Sequence, residues 1–373
     1  MTSHKQATIS AVALTALCAS FIGCGHDQSP IAPGSTGGSA GSASVIPQAG
    51  SGAVAGTGSV AGSGAAVGGG AGSGAVAGAG GVRAAGAGAG GAGGASANAN
   101  DPAEPLFQQA TMQYNNKDYA GSIATIEMLL AMYPTSVRID NALYIKGHDQ
   151  YLLNDFPAAI TTFNKLVTDF PNSLFLDNAH YYRGRSYFQQ ANYQMALVDF
   201  KRTVMLNPAG VYADQAQYYV GRTYYELADF VNAEAELAKV ETAYPTSTFL
   251  DNVYYYRGRT AFDQKLYAPS IPHFQRALTV SGSIFADDAQ YYIGRSNYAL
   301  GMFMVSVGDF DKLIMSDPAS QYADNAYYYK ARAYTDLMNC PMAKQQVTAL
   351  QGAFPQSAEI ARAQSYLMSN GCQ

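Results

Sequence analysis

The stretch Asp177–Phe188, "DNAHYYRGRSYF", has near-copies along the chain. They read "DQAQYYVGRTYY" from Asp214, "DNVYYYRGRTAF" from Asp251, "DDAQYYIGRSNY" from Asp287 and "DNAYYYKARAYT" from Asp324. A looser copy, "DNALYIKGHDQY", starts at Asp140. These aspartates are 37 residues apart, except for 36 between Asp251 and Asp287. Pro134, Pro171, Pro208, Pro245, Pro318 and Pro355 keep the same beat, and the missing proline falls at Gly282, in the one short unit. A period of this size marks stacked supersecondary units.

Each unit reads as two helices. In residues 177–213 the first helix is expected to begin after Ser173, a good N-cap, with Asp177 complementing the helix dipole in its first turns. A turn is expected at Ala191–Asn192. The second helix, "YQMALVDFKRTVML", places Ala196, Phe200 and Thr203 on one stripe and ends before Asn207-Pro208. Glycine at the eighth position, as in Gly184 and Gly221, allows close helix approach at a propensity cost of about 1 kcal/mol relative to alanine.

Counted from Asp177, Gly184 is eighth, Tyr187 eleventh, Ala196 twentieth, Phe200 twenty-fourth and Pro208 thirty-second. Gly147, Ala159, Phe163 and Pro171 fall in phase, as do Gly221, Tyr224, Ala233 and Pro245. This placing resembles the tetratricopeptide repeat, departing from it in a period longer than the usual ~34 residues and in polar residues where Trp and Leu are common. The resemblance covers residues 103–373 and implies an all-α solenoid of seven hairpins, starting near 103, 140, 177, 214, 251, 287 and 324, and a closing helix.

In that family the second, fifth, ninth and twelfth residues of each first helix line a concave groove, and these spacings share one helical face. The resemblance thus assigns a partner groove here. Its second position holds Asn178, Gln215 and Asn252. Its fifth holds Tyr181, Tyr218, Tyr255, Tyr291 and Tyr328. Its ninth holds Arg185, Arg222, Arg259, Arg295 and Arg332, with His148 one repeat earlier, and its twelfth includes Tyr225. The other tyrosine of each pair, such as Tyr182 or Tyr219, is expected to wedge between repeats. The competing reading of the fifth and ninth positions is a self-satisfied surface, each arginine stacking on the tyrosine four residues before it. A working groove would suit an extended peptide, and also a glycan strand. The lysines of the carboxylate clamp of chaperone-binding members are absent.

All 28 tyrosines lie after residue 100, so two unlike polymers are joined. Residues 25–100 contain 25 glycines and only Asp27 and Arg83 as charged groups. Such a segment cannot offset its ordering entropy and is expected to be a flexible tether spanning roughly 45–50 Å. Lys5, Arg83 and Asp27 sum to +1 in residues 1–100, so the net charge of −5 leaves −6 on the remainder, which argues against broad nucleic-acid binding. Catalysis has no foothold: His148, His180 and His273 fall in different units, and no "HExxH", "GxSxG" or "GxxxxGK[ST]" pattern occurs. No cofactor or metal is implied.

Lys5 followed by "ATISAVALTALCASFIGC" has the form of a secretory signal. Its end resembles the lipobox of bacterial lipoproteins, with Phe21 where leucine is usual, which makes residues 1–23 a signal peptide and Cys24 the lipidated residue. Residues 24–100 are then the tether and 101–373 the repeats. Ordinary secretion with an incidental cysteine is the alternative. Gly25, where an aspartate would signal inner-membrane retention in enteric lipoproteins, favours the outer membrane, with the repeats facing the periplasm.

The seventeenth position is aromatic in six units (Tyr119, Phe156, Tyr193, Phe230, Tyr267, Phe303) and cysteine only in the last, at Cys340. A following antiparallel helix would return Cys372 to the same end of the stack, so the two are expected to form a disulfide in an oxidising compartment. Two free buried thiols are the alternative. Finally, "YPTSTFLDNVYYYRGRTAF", Tyr244–Phe262, resembles the repeats of the Tol–Pal cell-division coordinator family and of the barrel-assembly lipoprotein family called BamD-like. Both usually carry fewer repeats and no Gly/Ala tether. The resemblance implies a non-enzymatic envelope scaffold that binds a protein partner, in outer-membrane protein assembly or envelope and division coordination. A pilotin-type secretin-assembly lipoprotein and a glycan-binding protein using the tyrosines are the alternatives.

Overall fold

The computed structural model describes residues 101–372. These form fifteen α-helices, with no strand among the described residues. The hairpins are α1 (Glu104–Asn115) with α2 (Tyr119–Met132), α3 (Ile139–Leu152) with α4 (Phe156–Asp169), and α5 (Leu176–Gln189) with α6 (Tyr193–Leu206). Then come α7 (Ala213–Glu226) with α8 (Phe230–Ala243), α9 (Leu250–Asp263) with α10 (Tyr267–Thr279), and α11 (Ala286–Ala299) with α12 (Phe303–Ser316). The last is α13 (Ala323–Asp336) with α14 (Cys340–Ala353), and α15 (Glu359–Ser369) closes the stack. Each helix packs on its chain neighbours, and each first helix also touches the first helix of the adjoining hairpins. The result is an all-α solenoid.

Within a hairpin, the turn needs one residue in the left-handed region: Lys117, Asn154, Ala191, Ala228, Lys265, Gly301 and Met338 all have positive φ. The next residue caps the second helix. Asp118, Asp155, Asp229 and Asn339 accept a backbone N–H with their side chains there, whereas Leu266 and Met302 have nothing to offer. Closeness comes from the eighth position. A Cβ on Gly184 would lie 3.0 Å from Phe200 Cε1, so the helix axes approach over bare backbone and the ring fills the gap.

Ser173 is not an N-cap. Helix α5 starts at Leu176 and its cap residue, Phe175, makes no side-chain capping bond. Ser173 Oγ instead donates to Asp140 Oδ2 of the previous repeat at 2.7 Å and accepts the Phe175 N–H at 3.2 Å. The same hook recurs as Ser136–Asp101, Ser247–Asp214, Ser320–Asp287 and Ser357–Asp324, with Asn207–Asp177 as its amide version. A charge-assisted bond between repeats outcompetes the local cap.

Candidate partner-binding face

The fifth-position tyrosines are buried. Tyr181 and Tyr218 are 1% exposed, and Tyr255, Tyr291 and Tyr328 are 4–6% exposed. What covers each ring is the aromatic residue two before the aspartate of the next repeat. Tyr181 stacks on Tyr212 (4.5 Å between centroids), Tyr255 on Phe285 (4.4 Å) and Tyr291 on Tyr322 (4.4 Å), all nearly parallel. At the first joint Arg138 takes the ring's position and lies 4.8 Å over Phe107; at the last, where that position is Glu359, Arg362 lies 4.7 Å over Tyr328. The residues responsible, Phe175, Tyr212, Phe249, Phe285 and Tyr322, keep the repeat beat in the sequence. That periodicity was the available signal for them.

The sixth-position tyrosine crosses the joint in the other direction and packs on the twenty-fourth-position ring of the preceding repeat, as Tyr219 does on Phe200 at 5.0 Å. Between these layers sits the arginine. Arg222 lies 4.8 Å from the Phe188 ring of the preceding repeat and 5.0 Å from the Tyr256 ring of the following one. Arg259 is held likewise between Tyr225 (5.7 Å) and Tyr292 (4.6 Å), and Arg295 between Phe262 (5.3 Å) and Tyr329 (4.9 Å). Arg185 is 5.7 Å from Tyr181, four residues before it, but 4.5 Å from Tyr219 of the next repeat. The closer stack is thus between repeats rather than within the helix. His148 takes the same place in the second repeat, 4.1 Å from the Tyr182 ring with Nδ1 3.0 Å from the Tyr114 hydroxyl.

The hydrogen bonds continue the lattice. Arg185 donates to the Tyr181 hydroxyl at 2.8 Å, and that hydroxyl donates to Gln215 Oε1 at 2.6 Å. Arg259 donates to the Tyr255 and Tyr225 hydroxyls, and Tyr225 donates to Asp263. Burial pushes the Asp288 carboxyl up to about 6, against the pull of the Tyr322 hydroxyl that donates to it at 2.6 Å. Burial likewise raises Glu226, with Arg222 and Arg259 opposing.

The face these residues share therefore presents edges more than rings. Side-chain exposure is 4% at Arg222 and 17% at Arg259, but 28% at Glu226 and 31% at Asp263. The thirteenth-position acids Glu226 and Asp263 are thus more open than the arginines they pair with. The second-position amides Asn178, Gln215 and Asn252 are partly exposed beside them, as are the partly buried Arg295 and Arg332. At the far end of the stack Cys340 and Cys372 are joined, with Cα atoms 5.1 Å apart. Cys24 lies outside the described residues. Among those residues no cluster of three or more His, Cys, Asp or Glu could hold a metal ion, and no helix is long and apolar enough to cross a membrane.

Hairpins of this geometry, repeated with glycine at the eighth and a ring at the twenty-fourth position, define a tetratricopeptide-repeat solenoid. The sequence profile of the YfiO family, described as outer membrane lipoprotein, matches residues 99–194 and 177–329, more than half of the chain. The chain belongs to that family. No curated protein matches it. Among solved structures it is similar to the C-terminal part of a TPR repeat-containing protein from Cytophaga hutchinsonii (16% identity, 69% of this chain and 98% of that one, TM-score 0.58). It is also similar to a tetratricopeptide repeat protein from Parabacteroides merdae (14% identity, 71% and 98%, TM-score 0.48) and to PilF of Pseudomonas aeruginosa (14% identity, 61% and 96%, TM-score 0.46). At such identities the likeness is one of fold.

Proposed function

We propose that this chain is a non-enzymatic scaffold of the cell envelope, anchored in the outer membrane through an acylated Cys24 and facing the periplasm. Its repeats bind an extended segment of an envelope protein along the face shared by the first helices. The observation that carries the reading is the match to an outer membrane lipoprotein family over the repeats themselves. The chemistry of the face refines it. With the arginines engaged by rings and hydroxyls, the partly exposed groups that face a partner are the second-position amides, the rims of the twelfth-position rings and the acids Glu226 and Asp263. Amides and carboxylates in a row suit the N–H groups and basic side chains of an extended peptide. A glycan strand is less well served, because the broad faces of the fifth-position rings are covered.

The test is affinity capture from envelope extracts with cross-linking and mass spectrometry. Cross-links from a protein segment to residues 178, 215, 226, 252 or 263 support the reading. Cross-links confined to the second helices, or capture of glycan fragments alone, would overturn it. For the anchor, mass spectrometry of the membrane fraction should find an acylated Cys24 at the mature N-terminus, and Cys24→Ala should release the protein from membranes.

A further inference from the structure

Among the described residues each first helix in the stack is held by its own second helix, except α15. Yet α15 occupies the place of a first helix in an eighth repeat. Ser357 Oγ makes the inter-repeat hook to Asp324 Oδ2 at 2.7 Å. Ala363 is buried as Ala326 is, 37 residues earlier. Tyr366, 37 residues after Tyr329, lies 4.4 Å over Arg332 and donates to Asp336 Oδ1 at 2.6 Å. The helix packs on both α13 and α14. In the six preceding repeats the twelfth- and seventeenth-position rings pack together, as Phe188 and Tyr193 do at 5.2 Å. In the seventh repeat those positions hold Thr335 and Cys340, and the bond from Cys340 to the buried Cys372 stands in their place.

We propose that α15 is a disulfide-locked plug, and that once the bond is reduced its seat on α13 and α14 accepts α15 from a second copy of this chain. The occupant follows from the seat: Asp324 is matched by Ser357, just ahead of this same helix, and Arg332 and Asp336 by its Tyr366. Only residues 354–358, with Pro355 among them, join α14 to α15, and a short hinge is the setting in which an identical element is exchanged between copies. The reductant is a dithiol. Its thiolate attacks the Cys340 sulfur, which is partly exposed whereas Cys372 is buried, and the Cys340–Cys372 bond breaks. Its second thiol closes the reagent's own disulfide, leaving two electrons and two protons on Cys340 and Cys372.

The experiment compares the full chain before and after dithiothreitol, by hydrogen exchange and by light scattering. Exchange in residues 359–369 should accelerate by about 30-fold or more, the lower end of what such a bond contributes, while α1–α10 stay unchanged. A concentration-dependent dimer should appear, and reoxidation should trap it through an intermolecular bond visible on a non-reducing gel. Tyr366→Ala keeps both cysteines and should open on reduction but fail to dimerise. Continued protection of α15 after reduction would overturn the proposal. So would an open helix that stays monomeric at high concentration, or a dimer that survives Tyr366→Ala.

Discussion

His148 stands where the five following repeats hold arginine, and it is followed by an acid where they hold a hydroxyl or alanine. Burial pulls the His148 imidazole down to about 3, so the ring is neutral between Tyr114 and Tyr182. Asp149 is fully buried and neither carboxylate oxygen has a hydrogen-bond partner. Burial pushes it up to about 7, with nearby Ser122 opposing and Asp118 adding to the rise. In an unfolded chain the two would titrate near their ordinary values, 6.5 and 3.8. Between those values the folded pair holds one proton, on Asp149, and the unfolded pair also holds one, on His148. Folding therefore takes up no net proton there, and this pair gives no pH slope. Removing either partner uncovers the other. With Asp149→Asn, the depressed His148 makes stability fall as pH drops from 6.5 toward 3. With His148→Phe, the raised Asp149 makes stability fall as pH rises from 3.8 toward 7. Each slope should approach about 1.4 kcal/mol per pH unit. Hydrogen exchange of residues 104–152 across pH 4–6.5, taken as variant minus wild type, should show slopes of opposite sign; parallel slopes would mean that the pair is not charged and discharged in this way.

Among the helices, the eighth and twenty-fourth positions vary together along the chain. Gly147, Gly184, Gly258 and Gly294 face phenylalanine and Gly221 faces Leu237, whereas Ala110 and Ala331 in the first and seventh repeats stand opposite Ile126 and Val347. Gly184→Ala should cost about 1–3 kcal/mol through overlap with Phe200, despite the better helix propensity of alanine. Phe200→Val should also destabilise, by leaving a cavity, and the double variant should recover at least ~1 kcal/mol of the sum in urea unfolding. At Leu266 the backbone (φ −84°, ψ 67°) matches that of the capping Asp155 (φ −83°, ψ 69°), so Leu266→Asp should add about 1 kcal/mol, read as a higher melting temperature. The hairpins themselves were legible, because period, glycine and proline are local marks. The burial of the fifth-position tyrosine is not a local mark, since the ring that covers it comes from the next repeat. Ser173 misled for a related reason: capping is a local preference, and Asp140, 33 residues away, offered its hydroxyl a stronger partner.

At the scale of the stack, the tyrosine–arginine repeat joins three hairpins at a time. A guanidinium touches a ring of the repeat before it and a ring of the repeat after it, so its loss is felt at two joints of a nearest-neighbour array. The ends are finished differently. The sixth position of the first repeat is the exposed polar Gln108, and α15 turns Gln364 and Ser365 outward, which suits capping units. Architecture and binding can then be separated by choosing which residue to change. Arg222→Ala removes a cation enclosed by Phe188 and Tyr256 and should lower stability by about 2–4 kcal/mol, through lost cation–π contact and the space left behind. Arg222→Lys should restore only part of this, because an ammonium lacks the planar guanidinium that lies between two rings. Glu226→Gln with Asp263→Asn removes the charges of two acids that are more open than the arginines beside them, while keeping their shape. This pair should leave the melting temperature within about 2 °C of wild type, as the acids lie at the open edge of the face and an amide oxygen at position 263 can still accept from Tyr225 and Arg259, and should weaken capture of a basic extended segment about 10-fold, within the range of charge-assisted bonds. Melts and titrations on the captured segment, run on all three variants, decide the matter. Unchanged affinity in the Glu226–Asp263 variant would move the binding surface off the first helices and leave the repeated tyrosines and arginines as architecture alone.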